Sequence, residues 1–339
     1  MDLFIYPEAA TYKDGYGIGV EYAYNRETPK PNDVVVWLSS YEKEDMNHLR
    51  DGDYVIPRNK LMTFKSAKKL LCGRHMSELS KQDLLFLKDY NFETIHCDEV
   101  IFYNAIRNLF PDKYLRIRFH NCFSRIGVRN SFLKRPIGFK YQYAIKVMTT
   151  LEKEIFSDKN VYKIFISDED RDFYRTTYGI MSDSETWQYS PNILKMKNNR
   201  KDIVFSHKLV WFGGVEAHKE SSLQWFIAEV YPKIKKEIAD LEFHLWGKNT
   251  MKFDKTAEAV YAHGFYKGKG MPLNDCLYVN PDIIGGGIKL KLLMLMENGI
   301  PFISTPFGFE GYEKSLIDGK YCVVEEESKW AEKILEFLL

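Results

Sequence analysis

The chain has 339 residues, 45% of them hydrophobic and 28% charged, with a formal net charge of +1 at pH 7 and a mean hydropathy of −0.36. That length is about twice a common domain size, so two domains are expected, and the balance of residues is that of a folded globular protein rather than a disordered one. A net charge so close to zero argues against a general nucleic-acid binder, and no run approaches the ~18 apolar residues of a membrane-spanning helix.

The N-terminus "MDLFIYPEAA" carries neither the basic nor the apolar part of a leader, so a cytoplasmic location is expected. In chain order, short apolar runs alternate with amphipathic ones. Residues 2–7, 33–40, 93–97, 114–121 and 163–168 are rich in β-branched and aromatic residues between turn residues, and predict strands. Residues 98–110 open on acidic residues and place Val100, Tyr103, Ile106 and Phe110 on one stripe, which predicts a helix; 141–156 behaves alike. A polar stretch over 190–208 then separates two halves, and the expected domains are 1–200 and 201–339. Beyond it, strands are predicted at 209–214, 241–247, 259–265, 276–281, 301–306 and 322–326, with helices at 221–238, 288–298 and 327–339.

Strand and helix alternating strictly, twice over, predict an α/β protein of two Rossmann-like doubly wound domains with parallel sheets. Ligands in such sheets bind beyond the carboxyl ends of the strands, so glycine-rich turns there are candidate walls of a site. Gly15, Gly17 and Gly19 follow the first strand with a spacing that departs from G-x-G-x-x-G, and a tight turn explains them as well as an anion site does. Gly213 and Gly214 follow the first strand of the second half, with Lys219 just ahead of serines that would cap the next helix. That lysine reads as a phosphate ligand or as a solvated surface residue. Gly285, Gly286 and Gly287 lead into a helix expected from about Ile288, where Lys289 and Lys291 add full charges to its positive end. Three successive glycines carry a backbone-entropy cost without packing gain, and the set suits a pyrophosphate. Met294 and Met296, in the same helix, read as core.

Five cysteines (Cys72, Cys97, Cys122, Cys276 and Cys322) lie far apart with no C-x-x-C pair, and read as reduced buried thiols. Asp51-Gly52-Asp53 and Asp168-Glu169-Asp170 match the D-x-D of metal-dependent transferases, but a turn and a helix start explain them, and neither a metal nor another cofactor is expected. From Lys113 to Lys146 there are nine Lys and Arg and no Asp or Glu, interleaved with Phe and Tyr. This stretch reads as an acceptor or membrane-docking face through Arg125, Arg129, Lys134 and Arg135, or as a solvated helix face. The nucleic-acid reading of the same stretch predicts steeply salt-dependent oligonucleotide binding, and no nucleic-acid partner is expected.

Gly213 with Lys219, "HGFY" (263–266), "GGGIKLK" (285–291) and "GIPFISTPFGFEG" (299–311) together resemble the C-terminal domain of GT-B glycosyltransferases of the retaining family 4, over residues 210–312. In the first half "DGYGIGVEYAY", "FETIHCDE", "IRFHN" and "YKIFISDEDRDFY" resemble the family more faintly. The resemblance implies a GT-B fold, two domains facing each other across a cleft. It implies a nucleotide-diphosphate sugar bound mainly by the second domain, through Gly17, Gly213, Gly214, Gly285, Gly286, Gly287, Ile288, Lys289 and Glu310. It further implies a glycan or lipid-linked acceptor bound mainly by the first domain, and transfer with retention, in surface polysaccharide or glycoconjugate synthesis at the inner face of the plasma membrane. In this scheme Lys219 and Lys291 stabilise the leaving diphosphate without a metal, and His120 contacts the transferred sugar. Two departures stand out. The family's glutamate pair, separated by seven residues, falls on Gly286 and Met294, and Gly214 stands where many members carry a phosphate-binding arginine. Glu297 or, better placed, Glu310 is the candidate substitute. The departures also motivate an alternative, a catalytically silent nucleotide-sugar or glycan-binding partner with the same fold.

Overall fold

A computed structural model describes residues 1–7, 17–39, 49–57, 82–131, 139–179, 183–191, 196, 205–215, 217–266, 271–284, 287–317 and 320–339. Among these residues the first sheet is built from β1 (Leu3–Tyr6), β2 (Val34–Ser39), β3 (Tyr54–Pro57), β4 (Thr94–Cys97), β5 (Tyr114–Phe119), β6 (Val161–Phe165) and β7 (Ser184–Thr186). Its order is β3-β2-β1-β4-β5-β6-β7, parallel throughout. The second sheet, equally parallel, is β10-β9-β8-β11-β12-β13, from β8 (Lys208–Phe212), β9 (Glu242–Trp246), β10 (Val260–Gly264), β11 (Leu277–Asn280), β12 (Phe302–Ser304) and β13 (Tyr321–Val323). In each sheet the order reverses beside the first strand, at β1/β4 and at β8/β11. There the connecting turns diverge and leave a crevice above the strand ends.

The helices are α1 (Gly17–Glu27), α2 (Tyr103–Leu109), α3 (Phe123–Ser131), α4 (Phe139–Ser157), α5 (Asp168–Tyr178), α6 (Ala217–Trp225), α7 (Tyr231–Glu237), α8 (Leu290–Glu297), α9 (Pro306–Phe309) and α10 (Trp330–Leu338). The chain divides into two compact units, Met1–Val128 with Gln142–Gln188 and Arg129–Tyr141 with Tyr189–Leu339. Each unit has its own core. Leu3, Ile5, Ile95, Leu115, Ile117 and Ile155 are fully buried in the first, as are Leu209, Trp211, Leu223, Phe243, Leu245 and Ile334 in the second. Burying a side chain of this size stabilises by roughly 1.5–3 kcal/mol, and strands buried on both faces need such uninterrupted apolar runs.

Several elements differ from expectation for local reasons. The helix predicted at 221–238 is one rod from α6 to α7, interrupted by a wide π turn at Phe226–Val230. Pro232, at the start of α7, has no amide to donate and crowds the preceding turn, which the wider turn relieves. α8 begins at Leu290 rather than near Ile288, because Gly287 (φ +60) and Lys289 (φ −87, ψ 86) are not helical. β3 and β7 are not signalled by the sequence; both are short edge strands, and "SET" in β7 has no apolar run.

α3 is not signalled either, with Gly127 at its centre and no capping side chain of its own. Its first amides are capped from α4: the fully buried Glu152 carboxylate accepts from Phe123 N at 2.7 Å, from Ser124 N at 2.9 Å and from the Ser124 hydroxyl. One carboxylate of each D-x-D stretch is engaged in the fold. Asp53 accepts from Trp37 Nε1 at 2.9 Å and Arg50 Nε at 3.0 Å, and Asp170 lies in the first turn of α5, capped by Ser167. Cys97, Cys122 and Cys276 are buried and Cys322 half-buried, all as free thiols, while Cys72 lies outside the described residues. Among the described residues no helix is long and apolar enough to cross a membrane.

Candidate functional site

The crevice of the second sheet is built from the ends of β8 and β11. After Phe212 the chain turns through Gly213 (φ +145), whose amide donates to Trp246 O at 2.9 Å, so the β8 turn lies against the β9 turn. A Cβ added at Gly214 would meet nothing within 4 Å, so that glycine answers no steric demand. Lys219 follows in the first turn of α6, half-buried.

β11 runs on through Pro281 to Asp282, which is fully buried. Lys291, the second residue of α8, brings Nζ to 2.9 Å from Asp282 Oδ2 and to 5.0 Å from the centre of the Trp211 ring. Burial pushes the Asp282 carboxyl upward, but the charges of Lys291 and then Lys219 outweigh it and hold the group below the usual carboxylate range. Burial lowers Lys291, and the charge of Lys219 lowers it further against the pull of Asp282. These three side chains therefore act as one electrostatic group at the β8/β11 switch point. Two cations facing one carboxylate leave a positive centre suited to an anion.

Asp282 is held by its backbone. Its carbonyl accepts from the Thr305 hydroxyl, and Thr305 caps α9 by accepting from Gly308 N at 2.9 Å. The second carboxylate oxygen, Oδ1, is buried with no hydrogen-bond partner among the described residues. Sequence reasoning passed over Asp282. The available signal was an acidic residue directly after a buried strand.

Lys289, only 9% exposed, points elsewhere: its Nζ donates to Gly287 O at 2.9 Å and lies 4.3 Å from the centre of the Phe307 ring. Within the second unit the Arg129 guanidinium lies 4.9 Å from the same ring and 2.6 Å from Glu310 Oε1. Glu310, the candidate substitute for the family glutamate, is thus already engaged. Gly308 is required by packing, since an added Cβ would stand 2.1 Å from Asn280 Nδ2 and 2.2 Å from Ser304 Oγ. Ile288 is buried, and Gly287 has a positive φ. Gly285 and Gly286 lie outside the described residues, as does Gly15, while Gly17 opens α1. Met296 is fully buried as expected, but Met294 is half-exposed.

Beside this centre, at the ends of β8, β9 and β10, an aromatic group gathers that the sequence reading had noted only through "HGFY". Trp246 stacks on His263 at 4.0 Å, and Tyr266 stands edge-on to Trp246 at 5.5 Å and to Phe212 at 6.0 Å. Burial, and then the charge of His244, lower the pKa of His263.

In the first unit His120 follows β5. Its Nε2 lies 2.8 Å from Asp98 O and 3.1 Å from Arg118 Nη2, while Arg118 Nε pairs with Asp98 Oδ1 at 2.5 Å. Burial raises the Asp98 carboxyl despite Arg118 and His120. His120 is therefore part of a polar cluster at the carboxyl ends of β4 and β5. Four of the nine cations in the basic stretch pair with carboxylates from elsewhere: Arg116 with Glu185 at 2.7 Å, Arg118 with Asp98, Arg125 with Asp170 at 2.8 Å and Arg129 with Glu310. Lys134 and Arg135 lie outside the described residues.

Two parallel Rossmann-like sheets, the second with a cationic centre at its switch point, have the α/β fold of GT-B proteins. Residues 206–339 match the family model described as glycosyl transferases group 1. Solved structures of the same fold include sucrose-phosphate synthase from Thermosynechococcus elongatus, with a TM-score of 0.66 at 12% identity, covering 99% of this chain and 89% of that one. Another is WaaG, a glycosyltransferase involved in lipopolysaccharide biosynthesis, with a TM-score of 0.57 at 12% identity, covering 100% and 90%. A curated relative, an uncharacterized 44.6 kDa protein in the cps region of Klebsiella pneumoniae, is 25% identical over 272 residues, 75% of this chain. The match spans 62% of that relative's length.

Proposed function

We propose that the chain transfers a sugar, with retention of configuration, from a nucleotide-diphosphate sugar to a glycan or lipid-linked acceptor in surface polysaccharide synthesis. The observation that carries this reading is the Lys219, Asp282 and Lys291 group at the strand ends of a glycosyl transferases group 1 domain. The relative from the cps region of Klebsiella pneumoniae supports the choice of pathway class.

As the glycosidic bond breaks, negative charge builds on the departing diphosphate, and Lys219 and Lys291 are the cations placed to meet it. Phe212, Trp246, His263 and Tyr266 are the aromatic surface available to the nucleotide base. With no carboxylate nucleophile assigned, the acceptor hydroxyl attacks from the face the diphosphate leaves, and its proton passes to a diphosphate oxygen. The acceptor is assigned to the first unit, with His120 near the transferred sugar, and contact with an anionic membrane face to the basic stretch. The reading uses no metal, so a chelator is expected to leave turnover unchanged.

The test is hydrolysis and transfer with a panel of nucleotide sugars, comparing the native chain with Lys219→Ala and Lys291→Ala. Turnover by the native chain that both substitutions abolish supports the proposal. Donor binding without turnover on any acceptor supports the second reading, a silent binding partner, for which Met294 and Gly214 are the motivating residues.

A further inference from the structure

We infer that Asp282 is an internal counter-anion, which holds Lys291 in the ligand-free site and competes with an incoming diphosphate for that lysine. The inference rests on the donor-site reading above and adds a residue that sets how tightly a diphosphate is held. Asp282 acts through Lys291 and is a positioning residue.

Its surroundings differ from those of two other buried carboxylates, Asp53 and Glu152. Asp53 and Glu152 accept from backbone amides, Arg50 N for the first, Phe123 N and Ser124 N for the second, so their charges serve the chain's own turns. Among the described residues the Asp282 carboxylate accepts from no backbone amide. One oxygen meets Lys291 at 2.9 Å, and the other has no hydrogen-bond partner among the described residues. The fold anchors this residue through its carbonyl and Thr305 instead, and Lys291 is the carboxylate's hydrogen-bond partner among the described residues.

Burying a carboxylate completely is costly unless a charge repays it, and Lys291, whose side chain is 15% exposed, is similarly deprived of water. With Lys219 acting on both, the ligand-free centre holds two cations and one anion. Without the carboxylate, the charge of Lys219 would act on the buried Lys291 uncompensated. A diphosphate brings its own negative charges to those lysines and meets Asp282 as a like charge in the same group. The carboxylate thus stabilises the empty site and loosens the filled one, which favours release of a nucleoside diphosphate product.

The experiment measures binding of inorganic pyrophosphate to the full chain by calorimetry, for the native protein, Asp282→Asn, Asp282→Glu, Lys291→Ala and the Asp282→Asn/Lys291→Ala double variant. Removing one repelling charge is expected to tighten binding by roughly tenfold in Asp282→Asn, with a steeper loss at high salt. Asp282→Glu retains the charge and stays near the native affinity, and the gain vanishes when Lys291 is absent. In turnover, Asp282→Asn lowers KM and kcat together and strengthens inhibition by nucleoside diphosphate, a split that a merely structural defect does not produce. Asp282→Ser repeats the measurement should the Asn variant fail to fold. Native binding with unchanged or weaker binding in the neutral variants overturns the inference and leaves the donor reading standing. Failure of every form to bind pyrophosphate or any nucleoside diphosphate overturns both.

Discussion

Gly247 packs its backbone directly on that of Gly213: a Cβ added at Gly247 would stand 2.0 Å from the Gly213 carbonyl oxygen, and Gly247 has a φ of +131. The turns after β8 and β9 can therefore nest only if this position has no side chain. Gly247→Ala is expected to lower stability by about 2–4 kcal/mol, through strain at a positive φ together with a backbone clash. Gly214→Ala, which meets open space without a positive φ, is expected to stay within about 0.5 kcal/mol of the native chain. Denaturant midpoints of the two variants check the contrast, and equal midpoints would remove the packing argument.

Lys291→Met should uncover the cost of Asp282. Losing one partner of a buried pair leaves an uncompensated charge, worth about 3 kcal/mol of stability, with Lys219 offsetting part of it. The double change Asp282→Asn/Lys291→Met removes both charges, so stability is expected to recover while diphosphate binding does not. Equal instability of the single and double variants in chemical denaturation would show that Lys291 stabilises by packing instead.

The acid limb of stability should carry the mark of Asp282. Its folded pKa lies below the ordinary value of about 3.9, so the stability it contributes is fully present above that pH and is lost as pH falls through the folded value. Native and Asp282→Asn proteins are therefore expected to converge in stability as the pH is lowered below about 4. A difference between them that is constant from pH 7 down to pH 3 would contradict the assignment.

Met294 occupies the position where the family resemblance expects a glutamate, and it is half-exposed on α8, so a carboxylate can be solvated there. Met294→Glu is expected to shift the unfolding midpoint little and to tighten nucleoside diphosphate binding relative to pyrophosphate, because a ribose is present only in the former. Equal effects on the two ligands would disconnect this position from the ribose.

The sequence by itself determined the alternation of elements, and thereby the parallel character of both sheets and all their strands except the edge strands β3 and β7. Strands covered on two faces require continuous apolar runs such as "LFIY" and "LVWF", and those runs are visible without coordinates. It also exposed the glycine turns after β8 and before α8, since backbone freedom is written in residue type. Charge pairing was decided only by the tertiary structure. Arg125 finds Asp170 45 residues away, Arg116 finds Glu185 69 away and Arg129 finds Glu310 181 away, so part of a stretch that reads as unopposed basic charge is paired in space. The same holds for Gly308, whose need for glycine comes from Asn280 and Ser304 on two neighbouring strands. Asp282 shows the limit most clearly. Its meaning depends on Lys291 and Lys219, which parallel strand order brings to one switch point, and local pattern carries no record of that meeting.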